Sequence, residues 1–490
     1  MQQDPYELES IDGSCEERYA PPRRANTEPA PRINSPFISR KRIITSTVDL
    51  VNNRLQKSAT LEKTLTAADG QQSRLQGMRR IVSPFWVTFS CITIALTALS
   101  WALHFALGDK SPTGVFVSAF MALMLQAYIL GYATEQLSLS SGEKVAALLN
   151  VSFGNAVELI VAIIALTKCE LEVVQSSLIG SVFSNLLLVT GMALIAGGLR
   201  HGVQRFSSEE AQLQSALLVF ACCSILFPTV SYILQSFNNG ANLVSVDNQL
   251  YAFSRGSAVV SVLGKISPSL APMHILKRSS IPVYVCFLTY SMGLSKKPST
   301  ATKADDLELN DTSPTETSEE EDEEPSIGRI TALSILLGVT AVVGVTAEFL
   351  VSSLDGMTSE GPLSKQFVSV ILLPIVGNAA EHCSAIMLAV KNKARMSLDI
   401  AVGSSLQISL FVLPVSVLLG WAMGHPMTLF FDPFQAVVLL VSVLLVSFII
   451  QDGKSNWMEG VLLFAPFVNL CVGFQVYSGF ESTTAVNTCS

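Results

Sequence analysis

The sequence carries little charge for its length. Of its 490 residues 14% are Asp, Glu, Lys or Arg, 49% are hydrophobic, and the mean hydropathy is +0.46. Soluble domains usually contain about 25% charged residues. The composition therefore argues against a soluble globular protein and favours one embedded in a membrane. The net charge of -8 identifies no partner, because much of the acid lies in one stretch, and we expect no nucleic-acid partner.

Residue types needed for several enzyme and metal chemistries are scarce or badly placed. The chain has five histidines, no HExxH motif, and no Ser/His/Asp set among its apolar segments. Most of its nine cysteines lie in apolar stretches, and no pair has metal-ligand spacing. We interpret them as small residues of a membrane core. These absences disfavour a membrane-embedded hydrolase and a thiolate metal site, so we expect neither an enzyme nor a bound cofactor.

The N-terminal region lacks the charged and apolar segments of a secretory signal. Residues 1–80 are polar, with many Pro, Arg and Glu, which indicates a cytosolic, largely disordered tail. The remaining organisation is predicted as a leading transmembrane helix at 81–110, a first repeat at 111–295, a cytosolic acidic loop at 296–327, a second repeat at 328–480 and a C-terminal tail at 481–490.

Long apolar segments fill most of the chain after the tail. A helix of about 20 residues crosses a hydrocarbon core of about 30 Å. The predicted spans lie at 83–106, 114–136, 144–167, 174–198, 211–235, 251–294, 328–354, 366–390, 397–422, 432–451 and 457–479. The sequence therefore predicts an all-α polytopic membrane protein with about eleven transmembrane helices.

A short polar block occurs twice within these apolar segments. Gly154-Asn155-Ala156-Val157-Glu158 is matched, 223 positions later, by Gly377-Asn378-Ala379-Ala380-Glu381. The same offset relates Gly180-Ser181 to Gly403-Ser404. A carboxylate within hydrocarbon costs at least a few kcal/mol, so it usually marks a site or a pathway. Chance could also produce such a string, although two copies in one register make it improbable, and polar residues can merely bond helices together.

The distribution of basic residues predicts the orientation. With the tail in the cytosol, the cytosolic connections contain Lys144, Arg200, Arg205, Lys296, Lys297, Lys303, Arg329, Lys391, Lys393, Arg395 and Lys454. The opposite connections contain only Lys110, Lys168 and Lys365, a bias that agrees with the positive-inside rule. The two polar blocks fall on the third and eighth spans and are therefore antiparallel. One leading helix and two inverted five-helix repeats follow, an arrangement typical of secondary transporters.

The ligand types at the blocks favour a hard cation. Asn and Glu three residues apart share one helix face, and glycine before Asn permits a close approach or a break. Two carboxylates, two amides and the hydroxyls of Ser181 and Ser404 are suited to Ca²⁺, which takes six to eight oxygens. Gln407 lies one turn beyond Ser404. The serines could instead bond only their own backbone.

The chain resembles the cation/Ca²⁺–proton antiporters of vacuolar membranes, within the wider Ca²⁺/cation antiporter superfamily. The likeness extends from about residue 80 to the C-terminus. Its carrying stretches are YATEQLSL at 132–139, LLNVSFGNAVELIVAIIAL at 148–166, SLIGSVFSNLLLVTGMALIAGG at 177–198, ILLPIVGNAAEHCSAIMLAVKNK at 371–393, VGSSLQISLFV at 402–412 and QDGKSNWMEG at 451–460.

The resemblance implies that Glu158 and Glu381 carry the cation and the protons, with Asn155 and Asn378 beside them. It also implies that Ser404, Ser405 and Gln407 supply further ligands. The expected partners are Ca²⁺, protons and the lipid bilayer, with Ca²⁺ transported rather than retained. Vacuolar location rests on the resemblance alone.

Two residues and one segment allow two interpretations each. Glu348 on the seventh span and His382 beside Glu381 could tune proton coupling, or make ordinary polar contacts. The acidic run consists of Glu319, Glu320, Glu321, Asp322, Glu323 and Glu324. It could be a solvated segment, or it could concentrate or sense Ca²⁺ at the cytosolic entrance.

The sixth predicted span departs from the family pattern. GKISPSLAPMHILKRSSIP, at 264–282, brings three prolines and several basic residues between two apolar pieces that are too short to cross alone. This stretch is interpreted as an insertion, and it leaves open a form that does not transport. A channel, an inactive scaffold, a Na⁺-driven exchanger and a Mn²⁺ carrier are also compatible with the sequence.

Overall fold

The computed structural model describes residues 84–141, 153–238, 243–262 and 326–477, together with the single residues 145, 149 and 479. The N-terminal tail, the insertion at 264–282, the acidic run and the C-terminal tail lie outside these ranges. The predictions that fall on them therefore stay predictions.

The described residues form fifteen helices and two short strands. The helices are α1 (Pro84–Leu107), α2 (Pro112–Leu139), α3 (Ala156–Thr167), α4 (Leu171–Phe183), α5 (Thr190–His201), α6 (Ser208–Asn238), α7 (Leu243–Val262), α8 (Arg329–Glu360), α9 (Lys365–Phe367), α10 (Leu373–Gly377), α11 (Ala379–Val390), α12 (Ala394–Gln407), α13 (Leu413–Ala422), α14 (Pro433–Ile450) and α15 (Trp457–Val476). Strands β1 (Val203–Arg205) and β2 (Lys454–Asn456) pair with each other. A 3-10 turn at Gly108–Lys110 separates α1 from α2.

Several of these helices join into longer spans through π-helical turns. The turns occupy Ser184–Val189 between α4 and α5, Val368–Leu372 between α9 and α10, and Ile408–Val412 between α12 and α13. Such turns widen a helix locally and are frequent at functional sites. Two of the three lie about one turn after the Gly-Ser motifs of the two halves.

Eight spans in the described ranges are long and apolar enough to cross a membrane, and the pair Lys365–Gly377 and Ala379–Val390 makes a ninth. The all-α membrane architecture is thus confirmed, whereas the number eleven remains a prediction. The hydropathy pattern starts the sixth span near residue 251. Instead α7 begins at Leu243, because polar residues that the pattern assigns to a loop continue the helix; Tyr232 bonds Asp247 there at 3.2 Å.

The 223-residue register is visible in the backbone. Cys169 and Asn392, which are 223 positions apart, both have positive φ, at 61° and 62°. They end α3 and α11, and in each case the following amide bonds a carbonyl five residues earlier at 2.9 Å. Equivalent residues therefore end equivalent helices, which supports the repeat inferred from the sequence.

The two ends of the bundle differ in their connections. At one end, called the ribbon end, β1 and β2 pair antiparallel with Gln204 opposite Ser455, both buried. At the other, called the loop end, residues 427–431 are buried without regular structure. Their backbone groups bond side chains of three helices, namely Gln175 of α4, Thr229 of α6 and Ser254 of α7. Irregular backbone is tolerated inside a membrane protein when its polar groups are satisfied in this way.

Helix α1 lies outside the repeat and packs against α2 and α8. Gln126 donates hydrogen bonds to Thr97 at 2.9 Å and to Thr346 at 3.2 Å, and the Trp101 indole donates to Thr346 at 3.1 Å. Trp86 packs on Tyr132, with ring centroids 4.5 Å apart. Polar and aromatic contacts therefore attach α1 to one long helix of each half.

Candidate functional site

Both polar blocks lie where a helix is interrupted. Asn155 precedes the first residue of α3, and Asn378 separates α10 from α11, whose axes differ by 60°. As a result Glu158 and Glu381 each fall in the first turn of a half-helix. The N-terminus of a helix carries partial positive charge, which favours an ionised carboxylate. The sequence left open a close approach or a break at the Gly-Asn pairs; the structure shows a break at both, with each carboxylate in the first turn after it.

The two carboxylates come from opposite halves; Glu158 is buried, and Glu381 is partly buried, with its Oε2 enclosed. Glu158 is 6% exposed, and a side chain added at Gly377 would overlap its carboxyl group. Both carboxyl oxygens of Glu158, and Oε2 of Glu381, have no hydrogen-bond partner among the described residues. The two carboxyl groups interact electrostatically. The absence of a side chain at Gly377 is therefore what admits Glu158 to the interface between the halves.

Asn155 connects the first half to the second. Its Nδ2 donates to Gln407 Oε1 at 2.7 Å, and its Oδ1 accepts from the Ser404 hydroxyl at 2.8 Å. The structure therefore brings together three of the predicted site residues, two of them from a helix more than 240 positions away. These hydrogen bonds fix the orientation of the Asn155 and Gln407 amides and of the Ser404 hydroxyl.

Asn378 connects the second half to the first, partly through Asn185, a residue that the sequence did not mark as a candidate. Its Nδ2 donates to the Ser181 carbonyl at 3.3 Å. Asn185 donates to Ser404 Oγ at 2.9 Å and to Asn378 Oδ1 at 3.4 Å. Asn185 is fully buried, one turn beyond Ser181. The sequence signal for Asn185 was its position four residues after Ser181, which places both on one helix face. The repeat gave no signal, because the equivalent of Asn185 in the second half is Ile408.

The Gly-Ser motifs behave differently in the two halves. A side chain at Gly180 would collide with the Val370 carbonyl and approach Pro374, whereas one at Gly403 would meet open space. The hydroxyl of Ser405 donates to the Ala401 carbonyl at 3.0 Å, the back-bonded arrangement common for serine in membrane helices. A ligand role for Ser405 remains a prediction.

The two predicted tuning residues occupy distinct positions. His382 Nδ1 lies 2.7 Å from the Asn378 carbonyl, so its ring is adjacent to the site. Glu348 instead pairs with Lys168 at 2.6 Å, with 45% of its side chain exposed. The structure places Glu348 in an ion pair at the loop end and not in the buried cluster. Proton-coupling roles for both residues stay predictions.

The buried oxygens without a partner define what the cluster can bind. Around the two polar blocks they are Glu158 Oε1 and Oε2, Glu381 Oε2, Asn185 Oδ1 and Ser184 Oγ. A buried polar atom normally has a partner. A cavity of about 20 Å³, lined by Glu158, Ser177 and Ser181, adjoins the Glu158 carboxyl group. That volume accommodates one water-sized particle.

The chemistry of this set is that of a hard cation site. No group of three His, Cys, Asp or Glu that could hold a metal occurs in the part of the chain that the structure describes. The charge comes from two carboxylates, and the remaining donors are neutral oxygens. Oxygen ligands suit Ca²⁺, and a small number of charged ligands lowers the affinity, which is compatible with release.

Comparison with known proteins identifies the family. The family model described as sodium/calcium exchanger protein matches residues 111–263 and 331–476. A vacuolar calcium ion transporter of Cryptococcus neoformans is 38% identical over 466 residues, covering 83% of this chain and 76% of the relative. A Ca²⁺/H⁺ antiporter of Synechocystis is 39% identical over 387 residues, covering 78% of this chain and 96% of the relative.

A solved structure agrees with these matches. The crystal structure of the Ca²⁺/H⁺ antiporter protein YfkE superposes with a TM-score of 0.61 and 30% sequence identity, covering 80% of this chain and 99% of that chain. The residues matched by the family model include both polar blocks. The chain therefore belongs to the sodium/calcium exchanger protein family.

Proposed function

We propose that this chain is a secondary transporter that moves Ca²⁺ out of the cytosol in exchange for protons across the vacuolar membrane. Family membership supports transport rather than catalysis. The names of the relatives support the cargo and the compartment: vacuolar calcium ion transporter in Cryptococcus neoformans and in Schizosaccharomyces pombe, and vacuolar cation/proton exchanger 3 in Oryza sativa.

One observation carries the proposal. Glu158 and Glu381 lie in the first turns of half-helices from opposite halves, and three of their four carboxyl oxygens are buried with no hydrogen-bond partner among the described residues. Removing a carboxylate from water favours its protonated form, and a divalent cation favours its ionised form. A pair of such groups binds either protons or one divalent cation.

Exchange follows from this competition at one site. Ca²⁺ that enters between the two carboxylates displaces their protons, because both ligands require the same negative charges. Where protons are abundant they displace the cation in turn. Asn155, Asn378 and Asn185 hold the helices at the site in register, and Ser181, Ser404 and Gln407 provide neutral oxygens. Alternating exposure of a midplane site by movement of one helix group is the general mode of inverted-repeat transporters.

The orientation is proposed from charge. The ribbon end carries Arg200, Arg205, Lys391, Lys393, Arg395 and Lys454, and the loop end carries Lys110, Lys168 and Lys365. The positive-inside rule supports a cytosolic ribbon end. The acidic run at Glu319–Glu324 then lies on the cytosolic side, where we propose that it raises the local Ca²⁺ concentration.

A Na⁺-driven exchanger is the nearest rival, since the family's description names sodium as well as calcium. The relatives whose names specify the exchanged ion are proton antiporters, which supports proton coupling. Coupling is best decided by direct measurement, because one pair of carboxylates can serve either ion.

The test is uptake of ⁴⁵Ca²⁺ into proteoliposomes with an imposed acid-inside pH gradient. We expect uptake by the full chain that collapses with a protonophore and in Glu381→Gln. Glu209→Gln is the matched control, since Glu209 is an exposed carboxylate in the first turn of α6. It is expected to retain uptake.

Two further arms separate the competing functions. Uptake that follows a Na⁺ gradient and ignores the pH gradient contradicts proton coupling and favours the Na⁺-driven exchanger. A variant lacking residues 264–282 tests the insertion. If only that variant transports, the chain as written is an inactive form of a proton-coupled antiporter.

A further inference from the structure

Two positive side chains lie side by side on the exposed face of the ribbon. Arg205 and Lys454 are direct cross-strand partners in the β1–β2 pair, and both are exposed. Like charges directly opposite each other destabilise an antiparallel pair. The ribbon therefore holds two positive charges close together, a cost that an anionic ligand would offset.

The neighbouring carboxylates form no salt bridge with this pair. In the part of the chain that the structure describes, neither Arg205 nor Lys454 takes part in a salt bridge. Glu210 pairs with Arg395 at 2.6 Å, Glu459 caps α15 through Asn456, and Asp452 accepts the backbone amide of Lys454 at 3.1 Å. Glu209 and Asp452 are both exposed, and neither takes part in a salt bridge among the described residues. Arg200 and Lys391 add two further exposed bases at this end.

The ribbon is held rigidly beneath these bases. Gln204, 1% exposed, donates to the Ala389 carbonyl at 2.9 Å and to Asn392 Oδ1 at 3.1 Å. The Phe206 amide bonds the Gly453 carbonyl at 2.9 Å. The backbone that carries Arg205 and Lys454 is therefore fixed from below, and the two charges cannot separate by rearranging it.

Apolar side chains flank the charged pair. Leu199 is 70% exposed, Val203 is 59% exposed and Trp457 is 43% exposed. Val203 lies on the same face of the ribbon as Arg205, and Trp457 directly follows β2. Tryptophan beside Arg and Lys at the end of an apolar helix is typical of the boundary between hydrocarbon and headgroups. The patch therefore offers both a charged and an apolar surface at one level of the bilayer.

We propose that this patch, formed by Arg200, Val203, Arg205, Lys454 and Trp457, binds an anionic glycerophospholipid of the adjacent leaflet. The guanidinium fork of Arg205 suits two phosphate oxygens, and Lys454 supplies a second charge. Trp457 and Val203 contact the glycerol and the first acyl carbons. A soluble anion would match the charges but leave these apolar groups in water, and this favours a lipid as the occupant. The site is independent of the transported ion.

The test measures lipid retained by the purified full chain in mixed micelles of phosphatidylcholine with or without phosphatidylserine. Native mass spectrometry counts bound lipids directly. We expect the unmodified chain to retain phosphatidylserine in preference to phosphatidylcholine. The double variant Arg205→Gln/Lys454→Gln is expected to lose that preference by about thirtyfold, because each base near an anionic surface contributes a factor of about five.

Controls keep the outcome specific. Lys110→Gln removes an exposed lysine at the loop end and is expected to leave retention unchanged. Trp457→Ala is expected to weaken retention of phosphatidylserine without changing its response to salt. Thermal unfolding of each variant checks that the fold is intact.

Three results would overturn the proposal. One is a double variant that retains phosphatidylserine like the unmodified chain. Another is full displacement of the lipid by inorganic phosphate at equal concentration, which would make the site a soluble-anion site. The third is retention that occurs only after Glu319–Glu324 are changed to glutamine, which would make the chain's own acidic run the occupant.

Discussion

The two ends of the bundle use equivalent segments for different chemistry. At the ribbon end Gln204 lies over Gly197, where a side chain would overlap its amide, and bonds the Ala389 carbonyl. The residue 223 positions later is Met427 at the loop end. It lies over Gly420, the equivalent of Gly197, where an added Cβ would be 2.5 Å from Met427 Cβ. The backbone arrangement is repeated, although the side chains are not.

The residues that contact Gln204 and Met427 differ in the same way. Leu166, the equivalent of Ala389, belongs to the same apolar cluster as Met427. At the ribbon end a buried side-chain amide bonds the end of α11, while at the loop end apolar side chains pack at the equivalent position. The comparison indicates that the fold requires residue 204 or 427 to approach Gly197 or Gly420 closely. It does not require that residue to form a hydrogen bond, because apolar packing is found at the second position. Each end could then adapt to its own surroundings.

The largest test of equivalence between the halves is at the carboxylates. Glu158→Gln and Glu381→Gln are each expected to reduce proton-driven Ca²⁺ uptake to background, because either change removes half of the negative charge at the site. Uptake into proteoliposomes under an acid-inside gradient measures this. A variant in one half that keeps coupled uptake would show that the two carboxylates have diverged as Gln204 and Met427 have.

The glycines of the Gly-Ser motifs should break the symmetry. Gly180→Ala places a methyl group against the Val370 carbonyl, and overpacking of this kind typically costs about 1–3 kcal/mol. Gly403→Ala meets open space and is expected to be neutral or slightly stabilising, since alanine favours helix. Thermal unfolding in detergent gives both values. Equal destabilisation would contradict the asymmetry described at the site.

The two corners should also respond differently to leucine. Gln204→Leu removes two side-chain hydrogen bonds, one to Asn392 Oδ1 and one to the Ala389 carbonyl, which keeps the Asn392 amide as a donor. Two such bonds together contribute about 1–3 kcal/mol. Met427→Leu nearly conserves volume and is expected to cost less than about 1.5 kcal/mol. Unfolding midpoints of the two variants, measured together, check the order. A larger loss at Met427 would indicate that packing and not hydrogen bonding limits stability at these corners.

The smallest expected effect concerns the ion pairs at the two ends. Lys365 pairs with Glu170 at 3.0 Å and Asp355 at 2.8 Å, whereas Arg395 pairs with Glu210 alone among the described residues. Partly exposed pairs contribute about 0–1 kcal/mol each. Lys365→Gln leaves two carboxylates facing each other and is expected to cost more than Arg395→Gln. The difference in stability between the two variants should shrink in high salt, because salt screens the repulsion between the carboxylates. Unfolding midpoints at low and high salt measure this difference.

The sequence predicted the features that depend on hydropathy and on the repeat. The interruptions at Asn155 and Asn378 and the facing of Glu158 toward the second half follow from a polar block kept in register within apolar helices. Asn185 escaped prediction because its counterpart, Ile408, is apolar and the repeat offers no second copy. Contacts between distant segments, such as the pairing of Glu348 with another span, leave no local pattern in the chain.

Short irregular segments were equally hidden. The three-residue strands are too short to show alternation, and their pairing depends on two connections about 250 positions apart. The buried loop at 427–431 resembles an ordinary connection in sequence, since its stability comes from Gln175, Thr229 and Ser254 on other helices. Side chains that bond a distant backbone can be assigned only after the helices are placed in space.

The attachment of α1 makes one side of the bundle different from the other. Helices α2 and α8 are equivalent members of the two halves, and a single helix cannot bind both in the same way about a two-fold axis. The contacts of Thr97 and Trp101 with Gln126 and Thr346 therefore give an otherwise symmetric bundle one distinguishable side. A spectroscopic label on the lipid-facing surface of α1 would report the position of the α2–α8 pair without altering either repeat.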